Sequence, residues 1–326
     1  MLPSWSKDKV LKGGRAMSKQ NPTLMRMTRA PFLSSILAPT LTGTLLSANL
    51  MGAFNIPGFI LVLIMGVGLH VATNVYNDIY DTIQGTDKVN VHRNEFSGGS
   101  GVLLDHPDLM PKMYQLARSG LVVAGAAALC LLLFIDQRLW PLLALLFVLA
   151  AFFSKFYTAA PVKLASRGFG EVSVWFAFGP MAVLAAAIGQ NVGLHETIYL
   201  LMPIHGLSTL SILLLGQLID VEADTKAGKL GVASRLGTRA TAWIYLFVQS
   251  AIILNVFVMF FGFPGKSWPV LISLVPYLYI FPKLPRIVLK NHANPDGLKP
   301  AAGLNVQLHL VFSFLMIAGL LFYMFE

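Results

Sequence analysis

The sequence has few charged residues for its length. Only 12% of its 326 residues are Asp, Glu, Lys or Arg, whereas 56% are hydrophobic. Soluble proteins carry about 25% charged residues. Half of that amount cannot cover the surface of the two soluble domains that the length would otherwise predict. The composition therefore excludes an ordinary soluble protein, a disordered chain and a collagen-like fibre, and it places most of the chain in lipid.

Cysteine is scarce in the sequence, and several catalytic motifs are absent. Cys130 is the one cysteine, which excludes an intrachain disulfide and a cysteine-based metal site. The sequence has no Walker A, GxGxxG, GxSxG or HExxH motif, so nothing in it supports nucleotide-driven pumping or serine hydrolysis. His70, His205 and His309 lie in apolar runs. We expect them to pack or hydrogen-bond between helices rather than to bind a ligand.

Nine apolar runs are long enough to cross the hydrocarbon core of a bilayer, which takes about 20 residues as a helix. They are expected to be helices because lipid cannot satisfy the backbone of an isolated strand. The alternating segments of a membrane barrel are absent. Prolines interrupt the eighth run and obscure where its helix begins and ends. The predicted spans are Phe32–Leu50, Gly58–Tyr80, Met113–Ile135, Leu139–Tyr157, Val172–Gly189, Ile198–Ile219, Ala240–Phe261, Val270–Phe281 and Val306–Phe325.

The basic residues predict the orientation of these spans. With the N-terminus in the cytoplasm, 22 of the 24 Lys and Arg residues fall on the cytoplasmic side, and the exceptions are Arg138 and Lys266. Basic residues concentrate on that side of membrane proteins. The net charge of +9 therefore needs no nucleic acid partner. We predict a basic cytoplasmic tail (1–28) and one nine-helix domain (29–326), with cytoplasmic cap loops at about 81–112 and 221–239.

The acidic residues cluster at the cytoplasmic ends of the second and sixth spans. Spacings of three or four place like residues on one helical face, where neighbouring carboxylates repel one another unless a cation lies between them. Carboxylate and amide oxygens are ligands that Mg2+ prefers. The alternative is that these residues are solvated helix ends. We favour a diphosphate site held through Mg2+ between the two clusters, which are Asn74, Asn77, Asp78 and Asp81, and Asp220 and Asp224.

Several basic residues lie on the same side of the membrane and could bind phosphate oxygens. For each one alone, the positive-inside rule is a sufficient explanation. The segment 97–101, which is rich in Gly and Ser, could direct N–H groups toward an anion or act as a hinge. The candidates are Arg29, Lys88, Arg93, Lys155, Lys163, Lys229 and Arg235, of which we favour Arg29 and Lys163.

Two motifs, Asn77-Asp78-x-x-Asp81 and Asp220-x-x-x-Asp224, resemble those of the UbiA superfamily of intramembrane prenyltransferases. The resemblance covers most of the chain, and its details are most similar to the MenA branch, the 1,4-dihydroxy-2-naphthoate polyprenyltransferases. Position 85 is Gly where the quinone and haem branches often have a third Asp, so that role passes to Asp87. The supporting residues are Asn74, Gly85, Asp87, Tyr157-Thr158, Gly168-x-Gly170-Glu171, Gly228-Lys229, Arg235-Leu-Gly237 and Arg29-Ala-Pro31-Phe32.

The resemblance implies a helical bundle around a central apolar cavity and Mg2+-dependent transfer of a polyprenyl group from an isoprenyl diphosphate to an aromatic acceptor. For the MenA branch this acceptor is 1,4-dihydroxy-2-naphthoate, used in menaquinone biosynthesis. The site would lie at the cytoplasmic face of a bacterial-type cytoplasmic membrane, in contact with membrane lipids. The implied catalytic carboxylates are Asp78, Asp81, Asp87, Asp220 and Asp224.

The resemblance also implies individual roles. One Mg2+ would be held by the cluster of the second span and another by that of the sixth. Asp87 would be either a metal ligand or the base that activates the acceptor. The implied diphosphate or substrate contacts are Arg29, Asn74, Asn77, Lys88, Arg93, Lys155, Tyr157, Lys163 and Lys229. The aromatic rings that could shield and stabilise an allylic cation are Phe152, Phe153, Phe156, Tyr157, Trp175 and Phe176.

Two other functions remain open at this point. A UbiA-type enzyme with another aromatic or lipid acceptor, or a terpene cyclase of the same type, would share every motif. A transporter for cations or phosphorylated lipids could use the carboxylates as an ion path. Transporters usually place such residues near the bilayer midplane, however, and both clusters here are predicted at one face.

Overall fold

Nine helical segments in the described part of the chain are long and apolar enough to cross a membrane. The computed structural model describes residues 22–94, 96–262 and 268–324, and these residues form helices and connecting turns without strands. The number and order of the segments confirm the predicted all-helical fold. We label them α1 (Ala30–Met51), α2 (Ile56–Gln84), α3 (Pro107–Leu131), α4 (Gln137–Phe156), α5 (Gly170–Gly189), α6 (Glu196–Lys226), α7 (Thr238–Gly262), α8 (Pro269–Asn291) and α9 (Pro295–Met324).

Three sequence predictions concern positions outside the described residues. These positions are 1–21 of the basic tail, Lys266, and Phe325 at the predicted end of the ninth span. The described part of the tail forms a short helix, Leu24–Thr28. The Thr23 hydroxyl begins this helix by accepting a hydrogen bond from the backbone N–H of Arg26 at 3.3 Å.

Helix α2 is longer than predicted and carries its acidic cluster inside its last turns. It ends at Gln84 and is capped by Gly85, whose φ of 89° lies in the left-handed region that glycine adopts without strain. The predicted span ended at Tyr80. The helix continues since its opposite face stays apolar, with Val75 and Ile79 fully buried. Helix α6 likewise extends to Lys226, so its two aspartates belong to that helix rather than to the segment that follows it.

The prolines of α8 explain why its ends were hard to predict. A proline lacks a backbone N–H and disrupts the preceding turn of a helix. The segment is accordingly divided into short helical pieces, Trp268–Leu274, Val275–Tyr279, Phe281–Lys283 and Leu284–Asn291.

Small residues let neighbouring helices approach closely, as is common in membrane proteins. A Cβ atom added to Gly68 of α2 would lie 2.7 Å from the carbonyl oxygen of Gly120 in α3. A Cβ atom on Gly179 of α5 would lie 3.0 Å from the Cα atom of Gly206 in α6. These contacts fix α2 and α6, the helices that carry the two acidic clusters, against their neighbours.

Helices α1, α2, α4, α5 and α6 surround a cavity. One end lies beside the last turns of α2 and α6 and is polar. The wall away from these turns is apolar, and Val62, Met65, Leu146, Met181 and Ala185 contribute to it. The predicted bundle around an apolar cavity is therefore present, and both carboxylate clusters lie at the polar end of the cavity.

Candidate active site

The acidic cluster of α2 combines hydrogen-bonded oxygens with one free oxygen. Asp78 is only 2% exposed, and its Oδ1 accepts a hydrogen bond from the backbone N–H of Ser100 at 3.2 Å. Its Oδ2 is buried and has no hydrogen-bond partner among the described residues. A buried carboxylate oxygen without a partner is costly. This oxygen is therefore a candidate ligand for a cation.

The amides of the same cluster leave oxygens available as well. Asn77 Nδ2 donates to Asp81 Oδ2 at 2.9 Å. Asn74 Nδ2 donates to the carbonyl oxygen of Thr28 at 3.1 Å. Both amides use their N–H groups in these bonds and line the cavity, so their carbonyl oxygens remain as potential metal ligands.

The acidic cluster of α6 lies across the cavity from that of α2. Asp220 Oδ1 accepts a hydrogen bond from Asn90 Nδ2 at 2.8 Å, which ties the segment after α2 to α6. Asp224 is buried one turn later, and both aspartates line the cavity. Asn90 was missed by the sequence analysis because a lone Asn in a loop carries no motif.

Lys229 links the two clusters. Its Nζ lies 2.9 Å from Asp81 Oδ2 and 4.0 Å from Asp224 Oδ1. Burial alone would lower the pKa of this ammonium, but Asp81 and Asp224 outweigh burial and raise its pKa above the ordinary value. The backbone N–H of Lys229 also bonds to the carbonyl oxygen of Asp224 at 2.8 Å. The side chain therefore stays charged and is held at the polar end of the cavity.

A buried network holds the segment that carries Lys229. Glu171 Oε1, at the start of α5, accepts hydrogen bonds from Gln217 Nε2 at 2.6 Å and from the backbone N–H of Val232 at 2.8 Å. Gly231 lies directly against this pair, where a Cβ atom would be 2.6 Å from Gln217 Nε2. In the sequence, Glu171 was predicted only through the resemblance, and Gln217 was not predicted because it belongs to no motif.

The glycine-rich segment covers the carboxylates. Gly99 has a φ of 72°, and a Cβ atom on it would lie 3.0 Å from Asp78 Oδ1. Because the N–H of Ser100 already bonds to Asp78, the segment packs on the acidic cluster. Gly98 and Gly99 line the cavity, and the two roles expected for this segment, binding an anion and acting as the hinge of a cap over the site, stay predictions.

Asp87 lies in a short helix, Thr86–Val89, just after α2. Its Oδ2 accepts a hydrogen bond from the Thr82 hydroxyl at 3.1 Å, and Arg93 Nη2 lies 3.5 Å from its Oδ1. Burial and the nearby Asp81 raise the pKa of Asp87 to about 7, against the opposing effect of Arg93. This geometry is compatible with both predicted roles of Asp87, as a metal ligand or as a base.

The predicted cations divide into two groups. Arg29 lines the cavity, with Nη1 4.0 Å from Asp78 Oδ1 and its guanidinium 4.8 Å from the centre of the Phe32 ring. Arg93 lies beside Asp87. Lys88 and Lys155 are exposed, and Lys163 is half-buried. None of these three lysines lines the cavity, so the preference for Lys163 gains no support from its position.

The aromatic side chains at the cavity also differ from the expected set. Of the predicted rings, Phe153 and Tyr157 line the cavity, and burial raises the pKa of the Tyr157 hydroxyl. The other predicted rings do not line the cavity, namely Phe152, Phe156, Trp175 and Phe176. Rings that the sequence analysis missed occupy other parts of the wall, namely Phe32, Phe96, Phe147 and Phe178.

The described residues contain no group of three Asp, Glu, His or Cys side chains already placed to hold a metal ion. Mg2+ commonly takes one or two carboxylates and completes its shell with phosphate oxygens and water. The free Asp78 Oδ2 and the amide oxygens beside it fit that mode of binding. The donor set is therefore suited to a metal that arrives with a phosphate ligand.

Comparisons with known proteins agree with this geometry. The model of the UbiA prenyltransferase family matches residues 114–301. A 2-carboxy-1,4-naphthoquinone phytyltransferase from Synechocystis is 25% identical over 293 residues, which cover 89% of this chain and 90% of that protein. A 1,4-dihydroxy-2-naphthoate octaprenyltransferase from Bacillus subtilis is 26% identical over 304 residues, covering 91% and 92% of the two chains.

Solved structures give the same fold. A UbiA homologue from Archaeoglobus fulgidus, bound to GPP and Mg2+, matches with a TM-score of 0.60 and 14% sequence identity. The match covers 93% of this chain and 99% of that one. At this identity the likeness concerns the fold alone, and it confirms the expected architecture. Since the family model spans more than half of the sequence, the chain belongs to the UbiA prenyltransferase family.

Proposed function

We propose that this prenyltransferase transfers a polyprenyl group from an isoprenyl diphosphate to 1,4-dihydroxy-2-naphthoate, in a reaction that requires Mg2+. One observation carries the proposal. The clusters of α2 and α6 meet at the polar end of an apolar cavity, close enough for Lys229 to contact Asp81 and Asp224 together. Similarity to enzymes named for naphthoate substrates supports the acceptor. A structural neighbour that binds GPP with Mg2+ supports the donor.

The proposal includes two metal positions. Asn74, Asn77, Asp78 and Asp81 would hold one Mg2+ through the free carboxylate and amide oxygens described above. Asp220 and Asp224 would hold another. When bound, Mg2+ acts as a Lewis acid that neutralises the charge of the departing diphosphate.

The basic side chains would bind the diphosphate itself. Arg29 and Lys229 line the cavity beside the carboxylates, and each already faces a carboxylate that a metal would occupy. Their charges would then be free to contact phosphate oxygens. Tyr157 lines the same end of the cavity and can donate a hydrogen bond. Arg93 would act from outside the cavity through Asp87.

The apolar walls would protect the reaction from water. Breaking the C–O bond of the donor leaves the electron pair on the diphosphate and a cation on the allylic carbon. The acceptor ring then forms a new C–C bond and loses a proton. Phe32, Phe153 and Phe178 line the cavity, and aromatic faces stabilise a nearby cation. The prenyl tail can extend along the apolar part of the cavity toward lipid.

We also propose the orientation of the protein. With the N-terminus in the cytoplasm, the distribution of Lys and Arg residues obeys the positive-inside rule, and the active site opens at the cytoplasmic face of a bacterial-type cytoplasmic membrane. In this arrangement residues 1–28 form a basic tail that meets anionic lipid headgroups. Residues 29–326 form the enzyme domain, whose cytoplasmic connections at about 81–112 and 221–239 cover the site.

The test is a product assay on the full chain in detergent or nanodiscs. Labelled polyprenyl diphosphate is supplied with and without 1,4-dihydroxy-2-naphthoate, and with Mg2+ or a chelator. We expect a prenylated product of the naphthoate only when both the naphthoate and Mg2+ are present. Transfer to another acceptor, or cyclisation of the donor alone, would overturn the proposed acceptor. Transport of a phosphorylated lipid or cation without any new covalent product would overturn the proposed reaction.

A further inference from the structure

The three histidines of the apolar spans each keep one buried ring nitrogen without a hydrogen-bond partner among the described residues. The other ring nitrogen of His205 shares a hydrogen bond with the Thr42 hydroxyl at 2.8 Å, and that of His309 shares one with the Ser208 hydroxyl at 2.9 Å. Neither of these imidazoles lines the cavity, whereas His70 does. His70 is 5% exposed, and its Nδ1 is buried without a hydrogen-bond partner in the part of the chain that the structure describes. The Asn74 side chain interacts with the same ring, so the atom of His70 that is left for a ligand is Nδ1.

An unpartnered imidazole nitrogen inside a membrane protein is costly, because lipid and apolar side chains offer it no hydrogen bond. Buried polar groups without a partner call for a specific explanation. His205 and His309 have the same cost without lining the cavity, so at His70 it is the combination of the unpartnered nitrogen with a place in the cavity wall that indicates a ligand. A ligand that enters the cavity would supply the missing partner.

The depth of His70 indicates which part of a ligand it meets. It precedes Asn74 by four residues and Asp78 by eight, so along α2 it lies about 6 Å deeper than Asn74 and about 12 Å deeper than the Asp78 carboxylate. The donor's allylic carbon is bonded directly to the diphosphate, so it lies just inside the metal-binding residues. The acceptor must place its attacking carbon about 3–3.5 Å from that carbon. His70 is thus at the level where the acceptor meets the donor.

An aromatic ring stands beside His70. The centres of the His70 and Phe178 rings are 5.0 Å apart, at an interplanar angle of 61°. Phe178 belongs to a π-helical stretch of α5, Ala177–Met181, which contains Pro180. Such stretches are often found at functional sites, because they change the direction of side chains. Phe178 lines the cavity and could pack against a planar ligand.

A second residue with an unpartnered polar atom lines the same cavity, on α6. Thr209 is 8% exposed and lines the cavity, and its Oγ1 is buried without a hydrogen-bond partner among the described residues. A prenyl chain would gain nothing from an imidazole or a hydroxyl. A planar ring that carries hydroxyl groups would use Phe178 for packing and both polar atoms for hydrogen bonds.

We propose that His70, Phe178 and Thr209 form the subsite for the aromatic acceptor, in which the His70 imidazole accepts a hydrogen bond from a ring hydroxyl next to the attacked carbon. The ligand class is a planar, hydroxylated aromatic ring. This inference rests on the proposed prenyl transfer and adds the residues that select its acceptor. The hydrogen bond holds the hydroxyl in place and increases the electron density of the ring at the carbon that attacks.

The test separates acceptor binding from donor binding in the full-length enzyme. His70→Phe is compared with the wild type in two measurements, the KM for the naphthoate acceptor and the Kd for a prenyl thiolodiphosphate. We expect the acceptor KM to rise about tenfold, while the donor-analogue Kd changes less than about twofold. His70→Gln, which can still accept a hydrogen bond, should recover part of the loss. Thr209→Val, which preserves side-chain volume, should raise the acceptor KM several-fold. It tests the subsite independently if His70→Phe does not fold.

A monomethyl ether of the acceptor supplies a second readout. The wild type should bind it more weakly than the parent diol, whereas His70→Phe should distinguish the two less. His205→Phe is the matched control, because it removes a buried histidine outside the cavity, and its acceptor KM should stay at the wild-type value. An unchanged acceptor KM in both His70→Phe and Thr209→Val, or an equal loss of donor-analogue binding, would overturn the subsite. A wild type that prenylates no naphthoate would instead overturn the proposed function, and the subsite with it.

Discussion

Lys229 Nζ lies 2.9 Å from Asp81 Oδ2, so a residue that follows α6 forms an ion pair with the last turns of α2. The same ammonium is 4.0 Å from Asp224 Oδ1. Without this charge, carboxylates from two helices would face one another in a region of low dielectric, where like charges repel strongly. Lys229 therefore balances the clusters when no metal is bound, and it occupies a position between them that a divalent cation could share.

Replacing Lys229 by Met should destabilise the metal-free enzyme and make its stability depend more strongly on Mg2+. Removing one partner of a buried ion pair costs about 3 kcal/mol, because the other charge remains uncompensated. Mg2+ would compensate those carboxylates, so it should raise the melting temperature of Lys229→Met more than that of the wild type. Thermal unfolding in chelator and across a Mg2+ titration measures both effects.

Lys229→Arg is the control for this experiment. It keeps the positive charge, so its metal-free stability should lie between those of the wild type and Lys229→Met. Equal Mg2+-induced shifts in the wild type and in Lys229→Met would contradict the idea that the lysine and the metal compensate the same carboxylates.

Asp78→Asn and Asp224→Asn should each lower kcat by at least about 100-fold, the scale found when one group that stabilises developing charge is removed. Both substitutions keep the shape of the side chain and remove a negative ligand, so the apparent affinity for Mg2+ should fall as well. Asp136→Asn is the matched control, because Asp136 pairs with Arg138 at the other end of the bundle. Turnover near the wild-type value in both cluster variants would exclude a role in metal binding.

The helices could be predicted from the sequence because the bilayer imposes their length and polarity. A span needs about 20 apolar residues, and nine such runs are present. The ends of α2 and α6 could not be predicted in this way. Their last turns carry carboxylates on one face and buried residues such as Ile79 on the other, and only the folded protein decides whether the apolar face is covered.

Only the part of the site that lies within one helix could be predicted from the sequence. Spacing within one helix places Asn74, Asp78 and Asp81 together, and the structure retains that placement. Contacts between distant segments do not follow from spacing. Glu171 reaches Val232 across 61 positions, whereas Lys163 lies outside the cavity. Which loop faces the carboxylates depends on tertiary packing.

Asp87→Asn should stabilise the metal-free enzyme above neutral pH. The folded protein holds the proton of Asp87 up to a pKa of about 7, whereas the ordinary value is 3.8. Between these values the folded state binds more protons than the unfolded state, so the contribution of Asp87 to stability falls as the pH rises. Asp87→Asn has no carboxyl group to titrate, so its free energy of unfolding does not fall in this way. The difference in unfolding free energy in favour of the variant should grow between pH 4 and 7, and should reach at most about 4 kcal/mol.

Melting temperatures measured in chelator from pH 4 to pH 8 test this sign. Arg93 favours the ionised form of Asp87 and so opposes the rise in its pKa. Arg93→Met removes this charge, so the ionised Asp87 should lower the free energy of unfolding at high pH more than it does in the wild type. A difference between wild type and Asp87→Asn that shrinks as the pH rises would contradict the raised pKa.

Glu171→Gln should retain most activity, whereas Glu171→Ala should lose it together with stability. The structure uses one oxygen of Glu171 to accept hydrogen bonds from Gln217 and from the Val232 N–H, and a Gln side chain at this position still offers such an oxygen. Alanine offers none, which leaves two buried donors unpaired at a cost of about 1–3 kcal/mol each. Because these bonds hold the segment that carries Lys229, we expect Glu171→Ala to raise the KM for the diphosphate donor more than it lowers kcat. Steady-state kinetics and melting temperatures of both variants measure this. Equal activity losses in the two variants would mean that the negative charge of Glu171, rather than its hydrogen bonds to the Lys229 segment, is what the enzyme needs.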